Sequence, residues 1–296
     1  MTAEGLIARL DTVATTLTAT FRPVLVASAA AAALLAPMPA AWADAALAPH
    51  RAIYELKLKE TRGSSGVDRI RGRIVYEFTG DACDGYALSF RQVTEIGSGE
   101  GDTNVSDLRA ATWEDGKAQS FRFTAQNYLN QQLDKDTDGR AERAADEVRV
   151  TLKKPNKGEK EFDGRTLFPT EHLKRIIAAA EKGETLIEAP VYDGSETGEK
   201  SYDTLAVIGR PLEGEPADVE EAAKRPELRA ARRWPVSVSY FEKGKRDEGG
   251  EQTPVYAMSF DLYENGVSRA MKIDYGDFVL DGELKELTFL KPSDCK

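Results

Sequence analysis

The chain has 296 residues and a formal net charge of −10 at pH 7, because 50 Asp and Glu residues outnumber 40 Lys and Arg residues. An acidic chain of this kind argues against nucleic acids and anionic membrane surfaces as partners. The length is ample for one large domain or two small ones, and no linker in the sequence requires a division.

The N-terminal segment, residues 1–43, has the organisation of a secretion signal. Basic residues as far as Arg22 precede an apolar run over residues 24–36, and a small-x-small tripeptide of the kind that signal peptidase recognises ends at Ala43. We therefore predict that a signal peptide is cleaved between Ala43 and Asp44.

A membrane anchor is the alternative interpretation of this segment. The uninterrupted apolar run is shorter than the roughly 18 to 20 residues that span a bilayer, and Pro37 and Pro39 follow it. We therefore expect an exported protein that is not an integral membrane protein. No cysteine follows the run, which excludes a lipid anchor on this segment. The stretch before Arg22 is long and weakly basic for a signal, so a start codon further downstream stays open.

The chain contains two cysteines, Cys83 and Cys295, and both remain after removal of the signal. An exported chain enters an oxidising compartment, in which disulfides form and persist. The wide spacing of the two residues does not match a CxxC redox motif or a zinc site. We predict one structural disulfide between Cys83 and Cys295, with two free thiols or an intermolecular bridge as the alternatives.

From His50 onward, apolar and polar residues alternate in short runs, which is the pattern of half-buried strands. Segments rich in Gly, Asp and Ser separate the runs and favour tight turns. The clearest runs before residue 166 are Ile53–Leu58, Ile74–Phe78, Tyr86–Phe90 and Phe121–Thr124. The pattern predicts successive antiparallel hairpins within a single β-rich domain over residues 44–296.

Residues 166–183 contain the one convincing amphipathic helix. Four apolar residues recur at i, i+3, i+4 and i+7 and form a single face, namely Leu173, Ile176, Ile177 and Ala180. A helix of about three turns is marginal in water by itself. We therefore expect its apolar face to be buried against a curved sheet.

The ends of this helix carry start and stop signals. Pro169 is tolerated in a first turn, the Thr170 hydroxyl can cap a free amide, and Gly183 favours a C-terminal stop. Glu171 and Arg175 lie four residues apart, and we expect them to form an exposed ion pair on the outer face.

Strand-like runs resume after the helix, first at Ser201–Ile208 and Val236–Tyr240. The strongest hairpin signal joins Tyr256–Leu262 to Ala270–Ile273 through Asn265-Gly266, whose tolerance of positive φ suits a tight turn. Residues 212–233 are charged, rich in alanine and broken by two prolines. We expect them to form a surface excursion with one short helix.

Asp134, Asp136, Asp138 and Gly139 match the opening of a calcium-binding loop, in which three carboxylates converge on the ion. The match ends there, because Ala145 stands where the loop requires a bidentate glutamate. A solvated acidic turn without bound metal is the interpretation that we favour.

His172, near the start of the helix, is the candidate for a general base. No GxSxG, HExxH or cysteine–histidine pattern accompanies it. A helix N-terminus favours the neutral imidazole, so we expect a capping or packing role. His50 lies close to the mature N-terminus and carries less weight.

Several segments resemble one known protein family. They are His50–Tyr54, Gly80–Gly85 around Cys83, Leu167–His172, Val191–Gly194, Trp234–Phe241 and the late Cys295. The resemblance is to the EipB family of bacterial periplasmic envelope-integrity proteins, formerly a domain of unknown function. It implies a mainly β fold, in which an antiparallel sheet spirals as a half-open barrel around one central α-helix at residues 170–182. It also implies a disulfide between Cys83 and Cys295 and no established enzymatic activity.

The resemblance and the signal together predict a non-enzymatic protein of the Gram-negative periplasm, without a cofactor, that supports cell envelope integrity and stress resistance. We expect it to bind an envelope protein, such as a periplasmic repeat protein, or a cell-wall or lipid component, and to be a monomer or a weak homodimer. The alternative is a periplasmic carrier of a lipid or other apolar ligand, because a half-open barrel with an internal helix can enclose one.

Overall fold

The structure is a computed structural model that describes residues 46–62, 66–98, 101, 103–214, 219–243 and 252–293. The predicted signal peptide, with its cleavage site at Ala43 and Asp44, lies outside the described residues. Cys295 also lies outside them.

The described residues form fourteen strands and two α-helices. The strands are β1 His50–Thr61, β2 Val67–Asp81, β3 Gly85–Ser98, β4 Thr103–Glu114, β5 Ser120–Leu129, β6 Gln132–Arg143, β7 Glu147–Lys154, β8 Gly158–Asp163, β9 Leu186–Val191, β10 Tyr202–Ile208, β11 Arg233–Glu242, β12 Tyr256–Tyr263, β13 Ser268–Asp274 and β14 Phe278–Phe289. The helices are α1 Pro169–Lys182 and α2 Pro226–Arg229.

All fourteen strands belong to one sheet, in which every neighbouring pair is antiparallel. Their order is β8-β7-β6-β5-β4-β3-β2-β1-β14-β13-β12-β11-β10-β9. The first and last strands are thus paired in the middle of the sheet, and β8 and β9 are its edges. The predicted fold class, a mainly β half-open barrel around one central helix, is confirmed.

Alternation of side chains along each strand separates the interior of the barrel from its outer face. In β11, Trp234, Val236 and Val238 are almost completely buried, whereas Pro235 and Ser237 between them are half-buried. The buried residues pack against α1, whose Ile176, Ile177 and Ala180 are buried and whose Leu173 is half-buried. The helix thus fills one part of the barrel interior.

Aromatic side chains connect the two edges of the sheet. Tyr192, directly after β9, lies with its ring centroid 5.1 Å from that of Phe162 on β8. It also packs against Phe121, Phe123 and Phe168. Contact between the two edge strands is therefore made by side chains, without a backbone ladder between them in the described chain.

The N-terminus of α1 is capped by a residue of β4, contrary to our prediction for Thr170. The Glu114 carboxylate accepts the backbone N–H groups of Thr170 at 2.7 Å and of Glu171 at 2.8 Å. Glu171 does not form the exposed pair with Arg175 that we expected as its main contact, since its carboxylate accepts from the Arg143 guanidinium at 2.6 Å. At the other end, Gly183 has φ 75°, which agrees with the predicted stop.

The Asp134–Gly139 segment is neither a calcium loop nor an acidic turn. It lies within β6, where Asp134, Asp136 and Asp138 follow one another at every second position. Residues two apart on a strand are about 7 Å apart along one face, so the carboxylates do not converge on an ion. Asp136 instead pairs with Lys154, at 2.8 Å.

The hairpin between β12 and β13 is present as predicted, with a different turn. Only Gly266 of the Asn265-Gly266 pair has positive φ, at 85°. Its N–H donates to the Tyr263 carbonyl at 2.9 Å, and the Tyr263 N–H donates to the Val267 carbonyl at 2.9 Å. This is the pattern of a three-residue hairpin loop that ends in a glycine bulge.

Residues 212–233 are more than a surface excursion. Besides α2 they include a 3₁₀ turn at Glu221–Ala223, and both Ala223 and Leu228 are buried. Glu220 accepts a hydrogen bond from the Arg269 guanidinium on β13, at 2.5 Å. The described part of this segment is therefore packed on the outer face of the sheet.

Candidate functional site

An apolar cavity lies inside the barrel, between α1 and the strands on both sides of the β1–β14 pair. Its volume is about 250 Å³. Leu173 contributes to it from the helix, Tyr54 from β1, Phe90 from β3 and Met258 from β12. The cavity exists because the pairing of β1 with β14 brings the N-terminal and C-terminal hairpins together.

Aromatic and sulfur-containing side chains dominate the apolar walls. The wall residues are Ile74, Tyr76, Phe90, Leu173, Met258, Phe260, Leu262, Met271 and Ile273. Unbranched methionine side chains adapt to ligands of different shape, and aromatic rings present large flat surfaces. Walls of this composition suit an apolar chain or ring.

Two rows of neighbouring aromatic rings extend from the cavity into the barrel. On the N-terminal side, the ring of His50 is stacked on Tyr76 with centroids 5.5 Å apart, and Phe78 is stacked on Tyr86 at 5.5 Å. On the C-terminal side, the row consists of Tyr202, Tyr240, Tyr256 and Tyr275. The closest pair is Tyr240 and Tyr256, whose rings are stacked with their centroids 4.5 Å apart. These rows give the interior a rigid aromatic lining.

The polar side chains at the cavity are uncharged. The Tyr54 hydroxyl donates to the Ser268 carbonyl at 2.8 Å, and burial raises the pKa of Tyr54 to about 12. His50 is buried and donates from Nδ1 to the Ala48 carbonyl at 2.7 Å. Burial lowers the pKa of His50 below its usual value, because a charged imidazole would lose its hydration there. Both groups are therefore neutral near pH 7.

Three larger depressions, of about 550, 610 and 470 Å³, have a different character, and charged residues such as Asp136 and Lys154 line the third. The first is lined by parts of residues 211–214 and 219–233, and Arg229, Arg232 and Arg233 contribute to its wall. The second lies on β1 and β2, with charged residues such as Arg69 along it. The cavity beside α1 is therefore the best candidate for an apolar ligand among the described residues.

His172 is buried and does not line this cavity. Its Nε2 is 3.3 Å from the Thr204 hydroxyl, which itself donates to the Ala189 carbonyl at 2.8 Å. The hydroxyl proton is thus engaged, so His172 must donate from Nε2. Burial lowers the pKa of His172 to about 4, and this neutral, hydrogen-bonded ring has a packing role.

The predicted disulfide is described at one end only. Cys83 lies in the turn between β2 and β3, where Asp81 accepts its backbone N–H at 2.7 Å. The same Asp81 carboxylate accepts a hydrogen bond from the Ser293 hydroxyl. Ser293 is two residues before Cys295, so the described chain leads toward Cys83, and the pairing itself stays a prediction.

Within the described ranges, no group of three or more His, Cys, Asp or Glu side chains is placed to hold a metal ion. The same ranges contain no helix that is both long and apolar enough to cross a membrane.

Apart from Leu173, whose place on the apolar face of α1 was predicted, the residues that line the cavity were not identified from the sequence. His50 and Tyr54 share one face of β1, and Tyr76 shares a face of β2 with Ile74. The sequence did contain an indication of the cavity, because an aromatic or polar residue takes the place of an aliphatic one at several inward positions of these strands. Alternation alone does not tell which strands face each other across a barrel, so the signal could not be assembled into a site.

Three comparisons place the chain among known proteins. Residues 41–291 match the family model described as EipB-like. The chain is 35% identical over 241 residues to the cell envelope integrity protein EipB of Brucella abortus strain 2308, an alignment that covers 81% of this chain and 84% of that protein.

A solved structure has the same fold. The crystal structure of a β-barrel-like protein of a domain of unknown function from Brucella abortus superposes with a TM-score of 0.76 at 34% sequence identity, and the match covers 83% of this chain and 99% of that chain. The sequence resemblance noted above is thus supported over the length of the folded chain. The protein belongs to the EipB-like family.

Proposed function

We propose that this protein is a non-enzymatic protein of the periplasm that supports cell envelope integrity by binding an apolar part of an envelope lipid. The family and the name of the Brucella abortus relative support the envelope role. The cavity beside α1 carries the proposal of the ligand, because its walls are apolar and its volume of about 250 Å³ accommodates part of an acyl chain.

Native mass spectrometry tests this function directly. Protein purified from the periplasm is expected to carry a lipid-sized mass that is lost on denaturation. Repeated absence of such a mass, together with no binding of added lipid, would contradict the proposed lipid binding.

The intact mass in the same experiment gives the N-terminus, for which we expect Asp44. Thiol alkylation with and without reductant reports on Cys83 and Cys295.

A matched pair of variants on β12 assigns the ligand to the cavity. Met258 lines the cavity, whereas its neighbour Ala257 points to the opposite face of the strand. We expect Met258→Gln to weaken the binding of a neutral fluorescent probe such as N-phenyl-1-naphthylamine about tenfold or more, because a buried amide without a partner opposes apolar binding. Ala257→Gln should leave the affinity unchanged. Equal effects of the two changes would place the ligand elsewhere.

Binding to an envelope protein, such as a periplasmic repeat protein, is the second candidate function. The observation that favours it is a pair of exposed apolar side chains on one face of the sheet, Val105 on β4 and Leu133 on β6, which are 36% and 51% exposed. In a deletion strain sensitive to detergents and cell-wall antibiotics, this function predicts that Val105→Ser/Leu133→Ser fails to restore resistance whereas Met258→Gln restores it. The opposite result would favour the lipid.

A further inference from the structure

The described residues that line the cavity beside α1 offer no charged partner for a charged ligand. None of the described residues that line it is an aspartate, glutamate, lysine or arginine. The polar groups that it does contain are imidazole, phenol, hydroxyl and amide groups, at His50, Tyr54, Tyr76, Gln92, Ser268 and Tyr275.

Some of these polar groups already form hydrogen bonds within the protein. Tyr54 donates to the Ser268 carbonyl and His50 donates to the Ala48 carbonyl, as described above. The Gln92 amide donates to the Thr94 hydroxyl at 3.2 Å, and Gln92 also forms a side-chain hydrogen bond with Tyr275. The cavity therefore offers a few neutral hydrogen-bonding groups at an otherwise apolar wall.

Lys174, the residue after Leu173 on α1, contacts a ring outside the cavity lining. The Lys174 ammonium lies over the ring of Tyr86, 4.8 Å from its centroid. Tyr86 does not line the cavity. An anionic head group that entered the cavity would thus lose its hydration without gaining a cationic partner, which costs several kcal/mol or forces the group to take up a proton. The net charge of −10 on the whole chain adds a smaller, long-range term of the same sign.

We propose that the cavity selects lipids whose enclosed part is uncharged, such as long-chain alcohols, esters and glycerides, and discriminates against free fatty-acid carboxylates and phosphorylated head groups. This inference rests on the proposed function, since it specifies the ligand of the same cavity. A charged head group is compatible with binding only where it stays outside the cavity.

The test compares ligands of equal chain length. Tetradecanol, methyl tetradecanoate and tetradecanoate are titrated against the full-length mature protein loaded with the neutral probe N-phenyl-1-naphthylamine, below the concentrations at which they aggregate. At about pH 8, we expect the alcohol and the ester to displace the probe at concentrations at least about tenfold lower than the carboxylate, a difference of about 1.4 kcal/mol. At about pH 5, where the fatty acid is closer to protonation, this ratio should shrink.

Each outcome separates the inference from the proposed function. If no lipid displaces the probe and none copurifies, the carrier function itself fails. If the carboxylate binds as tightly as the alcohol at about pH 8, the carrier function stands and the selectivity is refuted.

A variant adds the missing cation. Gln92 is half-buried and lines the cavity. Gln92→Lys should shift the ratio of the affinities for tetradecanoate and tetradecanol about tenfold toward tetradecanoate, whereas the matched Gln92→Glu should shift this ratio the other way. An unchanged ratio in both variants would overturn the argument from charge.

Discussion

Glu114 and His172 are two titratable residues that burial affects in opposite directions. Glu114 is 3% exposed, and the loss of hydration raises its pKa to about 7 although two amides of α1 donate to it. His172 is 4% exposed, and the same loss of hydration lowers its pKa to about 4. Glu114 caps α1 and His172 lies within it, so the free energy with which the helix packs on the sheet depends on pH through two groups of opposite sign.

Glu114→Gln is expected to change how stability depends on pH. In the folded wild type Glu114 holds its proton up to about pH 7, whereas in the unfolded chain it ionises near pH 4.5. The contribution of Glu114 to the free energy of unfolding is therefore fully present below about pH 4.5 and is lost as the pH rises through 7. Between about pH 4 and 8 the wild type should lose about 3 kcal/mol relative to Glu114→Gln, as measured by urea unfolding. A constant difference between the two proteins would contradict this assignment.

His172→Gln tests the opposite sign. Unfolded histidine takes up its proton near pH 6.5, whereas folded His172 does so only near 4. The contribution of His172 to the free energy of unfolding is fully present above about pH 6.5 and is lost as the pH falls toward 4. Relative to His172→Gln, whose amide can still donate to Thr204, the wild type should become less stable by about 3 kcal/mol between about pH 7 and 4. Parallel pH profiles of the two proteins would show that His172 is not a buried neutral ring.

At the scale of the element, α1 illustrates which features can be predicted from local sequence. The apolar period and the Gly183 stop are properties of neighbouring residues, and the helix ends where they indicate. The cap is different, because Glu114 is 56 positions before Thr170. Spacing along the chain contains no information on that contact. For the same reason β6 was predicted as a turn. Its acidic residues have the composition of a turn, but two of them form ion pairs with lysines of β7.

The packing of α1 gives a prediction for Ile177, which is fully buried. Ile177→Ala should destabilise the protein by about 3 kcal/mol, because it removes buried apolar atoms and leaves a cavity between the helix and the sheet. Arg175→Ala, on the exposed side of the same helix, is the control and should change the free energy of unfolding by less than about 0.5 kcal/mol. Similar losses in the two variants would show that α1 is not held by its apolar face.

At the scale of the whole molecule, the fold class was predictable and the cavity was not. Alternating runs and turn residues predict antiparallel hairpins wherever they occur, and the family resemblance adds the barrel. The walls of the cavity come from β1, β2 and β3 on one side and from β12 and β13 on the other. These strands become neighbours only through the pairing of His50 with Phe289 and the residues that follow in register. No local pattern specifies that pairing.

The predicted disulfide belongs to this scale, because it would join the turn after β2 to the end of the chain. A bridge that closes a loop of about 210 residues stabilises by at most about 5 kcal/mol in the chain-entropy model. We expect Cys83→Ser to lower the melting temperature and to leave the far-ultraviolet circular dichroism unchanged. Wild-type protein treated with reductant should melt at the same lowered temperature, and an unchanged melting temperature in both samples would exclude a structural bridge.

The position of β1 between β2 and β14 has a consequence for how the chain acquires its structure. Strands β1 to β8 are consecutive hairpins that can form as the chain emerges, whereas β1 must wait for a partner at the opposite end of the sequence. Such a contact of high sequence separation is slow to form and leaves one side of β1 unpaired in the meantime. Pulse-labelling hydrogen exchange during refolding should therefore find the amides that β1 shares with β14 among the last to be protected. Until the final segment arrives, this open edge can pair with another chain.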